Sequence, residues 1–118
     1  MDIQLFSALQ DMHVAAWNEK EVSKRNELLG KIYAPDIKMY DKEFVLDGLQ
    51  AVSDFIGKLI AEDPVFSFAA AKPIEPLQNS ARLFGHIQTS GGMLLSMDFF
   101  LLEHGKVKHL YAFMEPAL

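Results

Sequence analysis

No cysteine occurs anywhere in the chain, which removes disulfides, thiolate metal sites and cysteine nucleophiles from consideration. The fold must then be held by packing. Long apolar runs are missing too: polar residues interrupt every hydrophobic stretch well before the roughly 20 residues a membrane-spanning helix needs. The N-terminal MDIQLFSALQDMHV has neither a basic leader nor a small-residue cleavage site. A soluble, cytoplasmic protein with no membrane partner is expected. Basic charge is scarce, with 11 lysines and arginines against 16 acidic residues and a net charge of -5. The basic side chains are scattered and form no stripe that could neutralise phosphates, so nucleic acid is not an expected partner. There is no P-loop, no dinucleotide-binding glycine pattern and no serine nucleophile elbow. The four histidines, His13, His86, His104 and His109, lack the close spacing of a metal site. Neither a metal nor another cofactor is expected.

What the chain does have is 118 residues, half of them hydrophobic, enough for one domain over 1–118 with a sizeable core. Ile3, Phe6, Leu9, Ala16 and Trp17 recur at the spacing of one helical face, with Asp2 placed to cap it and His13 on the same stripe. Val22, Leu28, Leu29, Ile32 and Tyr33 suggest a second helix, which Pro35 should stop near Tyr33. Ile37 to Asp41 and Phe44 to Asp47 flank Lys42-Glu43 as a small hairpin. A third helix opens after Asp47-Gly48, with Val52, Phe55, Ile56, Leu59 and Ile60 on one side and Pro64 past its end.

Beyond Pro64 the pattern turns to strands: Val65 to Ala71, Ala81 to Thr89, Met93 to Glu103 and Lys106 to Met114. Pro73 and Pro76 belong at an edge, in a bulge or in a loop, because they donate no backbone hydrogen bond. Gly91-Gly92 and His104-Gly105 mark tight hairpins, so the last three strands form an antiparallel meander. Helices first and strands last predict an α+β layer arrangement in which the helices cover one face of the sheet. Met97, Phe99 and Leu101 alternate with Asp98, Phe100 and Leu102, leaving this strand apolar on both sides. A second copy of the chain is the simplest cover for the other face, so a homodimer is expected. Leu83, Ile87, Leu110 and Met114 extend that patch if the register allows.

Several short strings sit within this order of elements: Ala16-Trp17-Asn18, Ile32-Tyr33-Ala34-Pro35-Asp36, Asp47-Gly48 with Ala51-Val52 and Phe55-Ile56, Met97-Asp98-Phe99-Phe100, and Gly105-Lys106-Val107. Together they make nearly the whole chain resemble the nuclear-transport-factor-two-like superfamily, in its SnoaL-like and ketosteroid-isomerase-like branch. The resemblance implies a curved antiparallel sheet, cone-shaped like a barrel, enclosing an apolar pocket for a small molecule. It also implies cofactor-free isomerase, cyclase or dehydratase chemistry, or binding without turnover. By the same resemblance Asp41 falls at the general base of ketosteroid isomerases and Asp98 at their protonated oxyanion donor. His13 stands where they have a tyrosine, and the proline that follows their base is absent. His86 falls where SnoaL-type cyclases place a histidine on the strand before that aspartate.

The residues themselves single out Asp98, because a carboxylate in the middle of an apolar strand needs a partner or a task. His13 faces inward and is either a ligand donor or a satisfied core histidine. His86 depends on the hairpin register. A three-residue loop over 91–93 sets it opposite Asp98, and a two-residue Gly91-Gly92 loop sends the two to opposite faces. Asp41 is a catalytic candidate or a turn former. Trp17, Tyr33, Tyr40 and Phe100 line a pocket or fill the core. Arg82 binds a carboxylate or sits in a rim salt bridge.

Overall fold

The computed structural model describes residues 3–117, which leaves the expected Asp2 cap outside the described residues. Helix α1, Ile3–Trp17, buries Phe6, Leu9, His13, Ala16 and Trp17 along one face. Ile3, expected on that stripe, is 77% exposed, because it lies at the helix end beyond the edge of the core. Helix α2, Val22–Ile32, runs straight into strand β1, Tyr33–Tyr40. Tyr33 turns extended while its N–H still caps the carbonyl of Leu29. Pro35 rides in β1 where the pairing with the last strand is interrupted between Tyr33 and Lys38, so its missing donor breaks no ladder bond there.

The hairpin to β2, Val45–Asp47, closes with the Asp41 N–H donating to Phe44 O at 2.9 Å. Asp41 Oδ1 accepts from the Glu43 N–H at 3.0 Å, a side-chain turn that makes glycine unnecessary. Helix α3, Leu49–Glu62, buries Val52, Ser53 and Ile56. Strands β3, Ser67–Ala70, β5, Ser80–Thr89, β6, Gly92–Glu103, and β7, Lys106–Pro116, follow as expected. Strand β4, Glu75–Leu77, was not anticipated; it pairs with β5, and Pro76 sits in it at an edge.

The strand order is β2-β1-β7-β6-β5-β3, with the β5-β6-β7 meander antiparallel throughout. Two corrections apply to the expected sheet. It is mixed, because β1 pairs with β7 in parallel, a pairing that the long excursion through α3 and the intervening strands permits. It is also open, since no pairing among the described residues joins β2 to β3, and the helices rather than closure cover the inner face. That face buries Leu83, Ile87, Asp98, Phe100 and Leu110. Leu83, Ile87 and Leu110 therefore do not extend the outer patch, and Met114, opposite Ser96, belongs to the inner side as well. Phe99 and Leu101 do point outward and are half-buried, alongside the exposed Leu95 and Phe113.

One charged side chain is part of the helix packing. Arg25 is 4% exposed and donates through Nε to Ser53 Oγ at 3.0 Å and through Nη1 to Glu19 O at 2.7 Å, near the end of α1. Gly57 on α3 leaves room for it, because a Cβ there would come within 2.8 Å of Nη2. Arg25→Ala is expected to lower stability by about 2 kcal/mol, through stranded polar groups and lost packing around the aliphatic stem. Arg25→Lys cannot reproduce the fork and is expected to recover less than half of that loss in urea titration.

Candidate functional site

The site grows from a chain of hydrogen bonds that starts at the end of α1. Trp17 has only a donor to offer, and its Nε1–H points to the Tyr33 hydroxyl oxygen at 3.1 Å. Tyr33 is fully buried, and burial pushes its hydroxyl far above the ordinary tyrosine range, with the Trp17 hydrogen bond opposing and the Asp98 charge adding. Its proton therefore stays on and finds His13 Nδ1 at 2.6 Å. That leaves the His13 proton on Nε2, which faces Asp98 Oδ2 at 3.1 Å. Donors are thus aligned in one direction, from Trp17 through Tyr33 and His13 to Asp98. The His13 ring is wedged edge-on between Phe68 and Phe100, at 5.5 and 4.9 Å between centroids, which fixes its orientation.

Asp98 ends this chain at the wall of a cavity of about 170 Å³ between α1, α3 and the inner face of the sheet. Trp17, Met39, Phe55, Phe66 and Phe68 supply much of its apolar wall. Asp98 is 7% exposed, and its second oxygen, Oδ1, makes no hydrogen bond among the described residues. Asp41 and Asp63 also line the cavity and, unlike Asp98, are partly exposed. Asp63 accepts from the Ser90 N–H, the Val65 N–H and the Ser90 hydroxyl, tying the end of α3 to the β5-β6 turn. Those backbone donors, Ser90 first, hold its carboxyl below the usual carboxylate range.

The expected site residues divide. Asp98, Asp41 and Trp17 meet at the cavity. His13 stands directly behind Asp98 but is fully buried with both ring nitrogens engaged, so it does not reach the cavity. His86 is separated from Asp98. The turn pairs Thr89 with Gly92 around a Ser90-Gly91 loop, which places Leu83 opposite Asp98 and exposed His86 opposite Leu95 on the outer face. The parity is that of a two-residue loop, one residue earlier than Gly91-Gly92, and it rules out the acid–base pair.

Of the aromatic candidates, Tyr33 and Phe100 are fully buried behind the cavity wall. Tyr40 lies on the outer face, stacked on Tyr111 at 4.5 Å and hydrogen-bonded to His109 Nδ1 at 2.9 Å. Arg82 forms an exposed bridge to Glu75 at 3.1 Å, away from the cavity. Sequence reasoning missed Phe55, Phe66 and Ser96 as lining residues. Alternation along β6 could have found Ser96, two residues before Asp98 and on the same face. Phe55 lies on the apolar side of α3 that the sequence marks, whereas Phe66 carries no such signal. Among the described residues no group of three histidines or carboxylates gathers as for a metal, and no helix is long and apolar enough to cross a membrane.

Neither a protein-family model nor a curated protein matches the chain. Solved structures do. A protein from Agrobacterium tumefaciens str. C58, provisionally described as an isomerase of the SnoaL-like family, superposes with a TM-score of 0.84 at 20% identity, over 96% of this chain and 99% of that one. A provisionally described SnoaL-like polyketide cyclase from Jannaschia sp. CCS1 superposes with a TM-score of 0.73 at 11% identity, over 98% and 90%. A hypothetical protein with a ketosteroid isomerase-like fold from Catenulispora acidiphila, crystallised with trimethylamine, superposes with a TM-score of 0.74 at 10% identity, over 89% and 83%. At these identities the likeness is one of architecture: three helices on a curved, mixed, seven-stranded sheet, the fold of SnoaL-like and nuclear-transport-factor-two-like proteins.

Proposed function

We propose that this chain binds a small, largely apolar molecule in the cavity and moves a proton on it at Asp98, without a cofactor. The observation that carries this reading is Asp98 itself: one oxygen is oriented by His13 and the other, among the described residues, has no partner at an apolar wall. A carboxylate held this way is suited to take a proton from carbon next to a carbonyl and return it to another position. The C–H bond breaks, an O–H bond forms on Asp98, and the electron pair passes to the carbonyl oxygen as an enolate. His13 acts through Asp98 as a positioning residue. The test is exchange of the α-hydrogens of cyclohexanone in deuterated water, followed by NMR. Exchange above the buffer rate that saturates in ketone is expected; none above buffer would overturn catalysis.

A second reading, binding without turnover, is favoured by one feature. Both His13 nitrogens are consumed inside the protein, so that position presents no donor to a ligand oxygen. Native mass spectrometry with a retained ligand, combined with no proton exchange, would select this reading.

We also propose that the outer face of the sheet pairs with a second copy of the chain. Met97, Phe99 and Leu101 face away from the helices, and beside them Leu95 and Phe113 are 37% and 57% exposed. An interface of the obligate kind buries roughly 2,000 Å² or more. In sedimentation equilibrium Phe99→Glu is expected to yield monomer while Glu62→Lys, on an exposed face of α3, stays dimeric. A wild-type protein that is monomeric at micromolar concentration refutes the pairing.

A further inference from the structure

Three features of the cavity bear on what enters it: its size, the sign of its charges and two polar atoms without partners. At about 170 Å³ it is close to the roughly 150 Å³ engineered cavity that accepts benzene. A single ring fills such a space. Its charged lining residues are Asp41, Asp63 and Asp98, with no lysine, arginine or histidine lining it among the described residues. A ligand carboxylate or phosphate would meet like charge with no counter-cation in a largely apolar surround.

The residues that carry the polar atoms lie two apart on one face of β6. Among the described residues the hydrogen bond to Asp98 falls on Oδ2 and none reaches Oδ1, and Ser96, 5% exposed on the same face and also lining the cavity, has an Oγ with no partner there. Its pairing partner Gly85 preserves the space for that hydroxyl, because a Cβ there would lie 2.6 Å from Ser96 Oγ. A buried hydroxyl without a partner is a standing cost to the free protein, and it can turn about a single bond toward a bound group. A carboxylate oxygen accepts, and a serine hydroxyl both donates and accepts.

We propose that the cavity takes a molecule of single-ring size that carries no negative charge and presents an O–H or N–H donor to Asp98 beside Ser96. This deepens the proposed function and rests on its reading of the cavity as the functional site. A ligand hydroxyl donates to Asp98 Oδ1 while accepting from Ser96 Oγ; an ammonium donates to both. Ser96 is then a specificity residue that repays its own desolvation only when the ligand is bound.

The chain's one tryptophan, Trp17, lines the cavity, so its fluorescence reports occupancy without any turnover. The wild-type protein is titrated with phenol, benzylamine, toluene, benzoate and a four-ring steroid. Saturable quenching by phenol or benzylamine, at least about tenfold tighter than by toluene or benzoate, is expected, and the better of the two identifies the donor as O–H or N–H. The proposal fails if benzoate or toluene matches them, if the steroid binds more tightly than every single ring, or if no single ring saturates by about 10 mM. Ser96→Ala is expected to weaken the better probe about fivefold without lowering Tm, since the free protein loses no hydrogen bond. Unchanged affinity would remove Ser96 from the site. Binding without ketone exchange refutes catalysis and leaves this inference standing, while exchange with benzoate-matched binding does the reverse.

Discussion

Asp98→Asn is expected to slow ketone exchange by about 10²- to 10⁴-fold, the range over which a positioned general base contributes. The substitution keeps shape and keeps an oxygen that can accept from His13 Nε2–H, so Tm should stay within a few degrees of wild type. Its amide has no basic oxygen to take a proton from carbon. Asp41→Asn provides the comparison, because Asp41 is partly exposed and its Oδ1 is already committed to the Glu43 N–H in the hairpin turn. A loss below about tenfold is expected there. If exchange by Asp98→Asn ran at the wild-type rate, or if Asp41→Asn lost as much, the role assigned to Asp98 would be wrong.

The second large effect is on stability. His13→Leu keeps an apolar body of similar size between Phe68 and Phe100 but removes both ring nitrogens. The Tyr33 hydroxyl then loses its acceptor and Asp98 Oδ2 its donor, both in surroundings that water reaches poorly. Leaving buried polar groups unpaired costs about 1–3 kcal/mol each, more where one is charged, so a loss of about 3–5 kcal/mol is expected in chemical denaturation. Tyr33→Phe removes the acceptor of Trp17 and the donor to His13, and alone should cost about 2 kcal/mol. Because the two residues belong to one chain of hydrogen bonds, the double variant should lose clearly less than the sum. A single-variant loss of His13→Leu under about 1 kcal/mol would show that the network contributes little to folding.

Much of the architecture could be read locally. Helical spacing from Phe6 to Trp17 and in α3, the break at Pro35 and the alternation along β6 all depend on neighbours within a turn or a strand, which is where period and propensity operate. Short strands with weak signals escaped, as β4 did, since three residues around a proline give no periodicity to read. The hairpin around Lys42-Glu43 is legible from its flanking strands, while its turn chemistry, an aspartate side chain accepting from the Glu43 N–H, appears only in the folded chain.

The sequence by itself determined the α+β class, the inward stripe that carries His13, and Asp98 as the polar exception in an apolar strand. Only the tertiary structure decided what those residues meet. The hydrogen bond from His13 to Asp98 joins positions 85 residues apart, and that from Tyr33 to His13 spans 20. A one-residue placement of the β5-β6 turn sent His86 to the outer face, and the parallel pairing of β1 with β7 set Met39 opposite Leu110 and Tyr40 opposite Tyr111. The physical reason is that strand parity is absolute and set at turns, whereas a composition pattern tolerates a shift by one. Side chains that share a face are chosen by register and by crossing chain segments, and neither is written in any single stretch of residues.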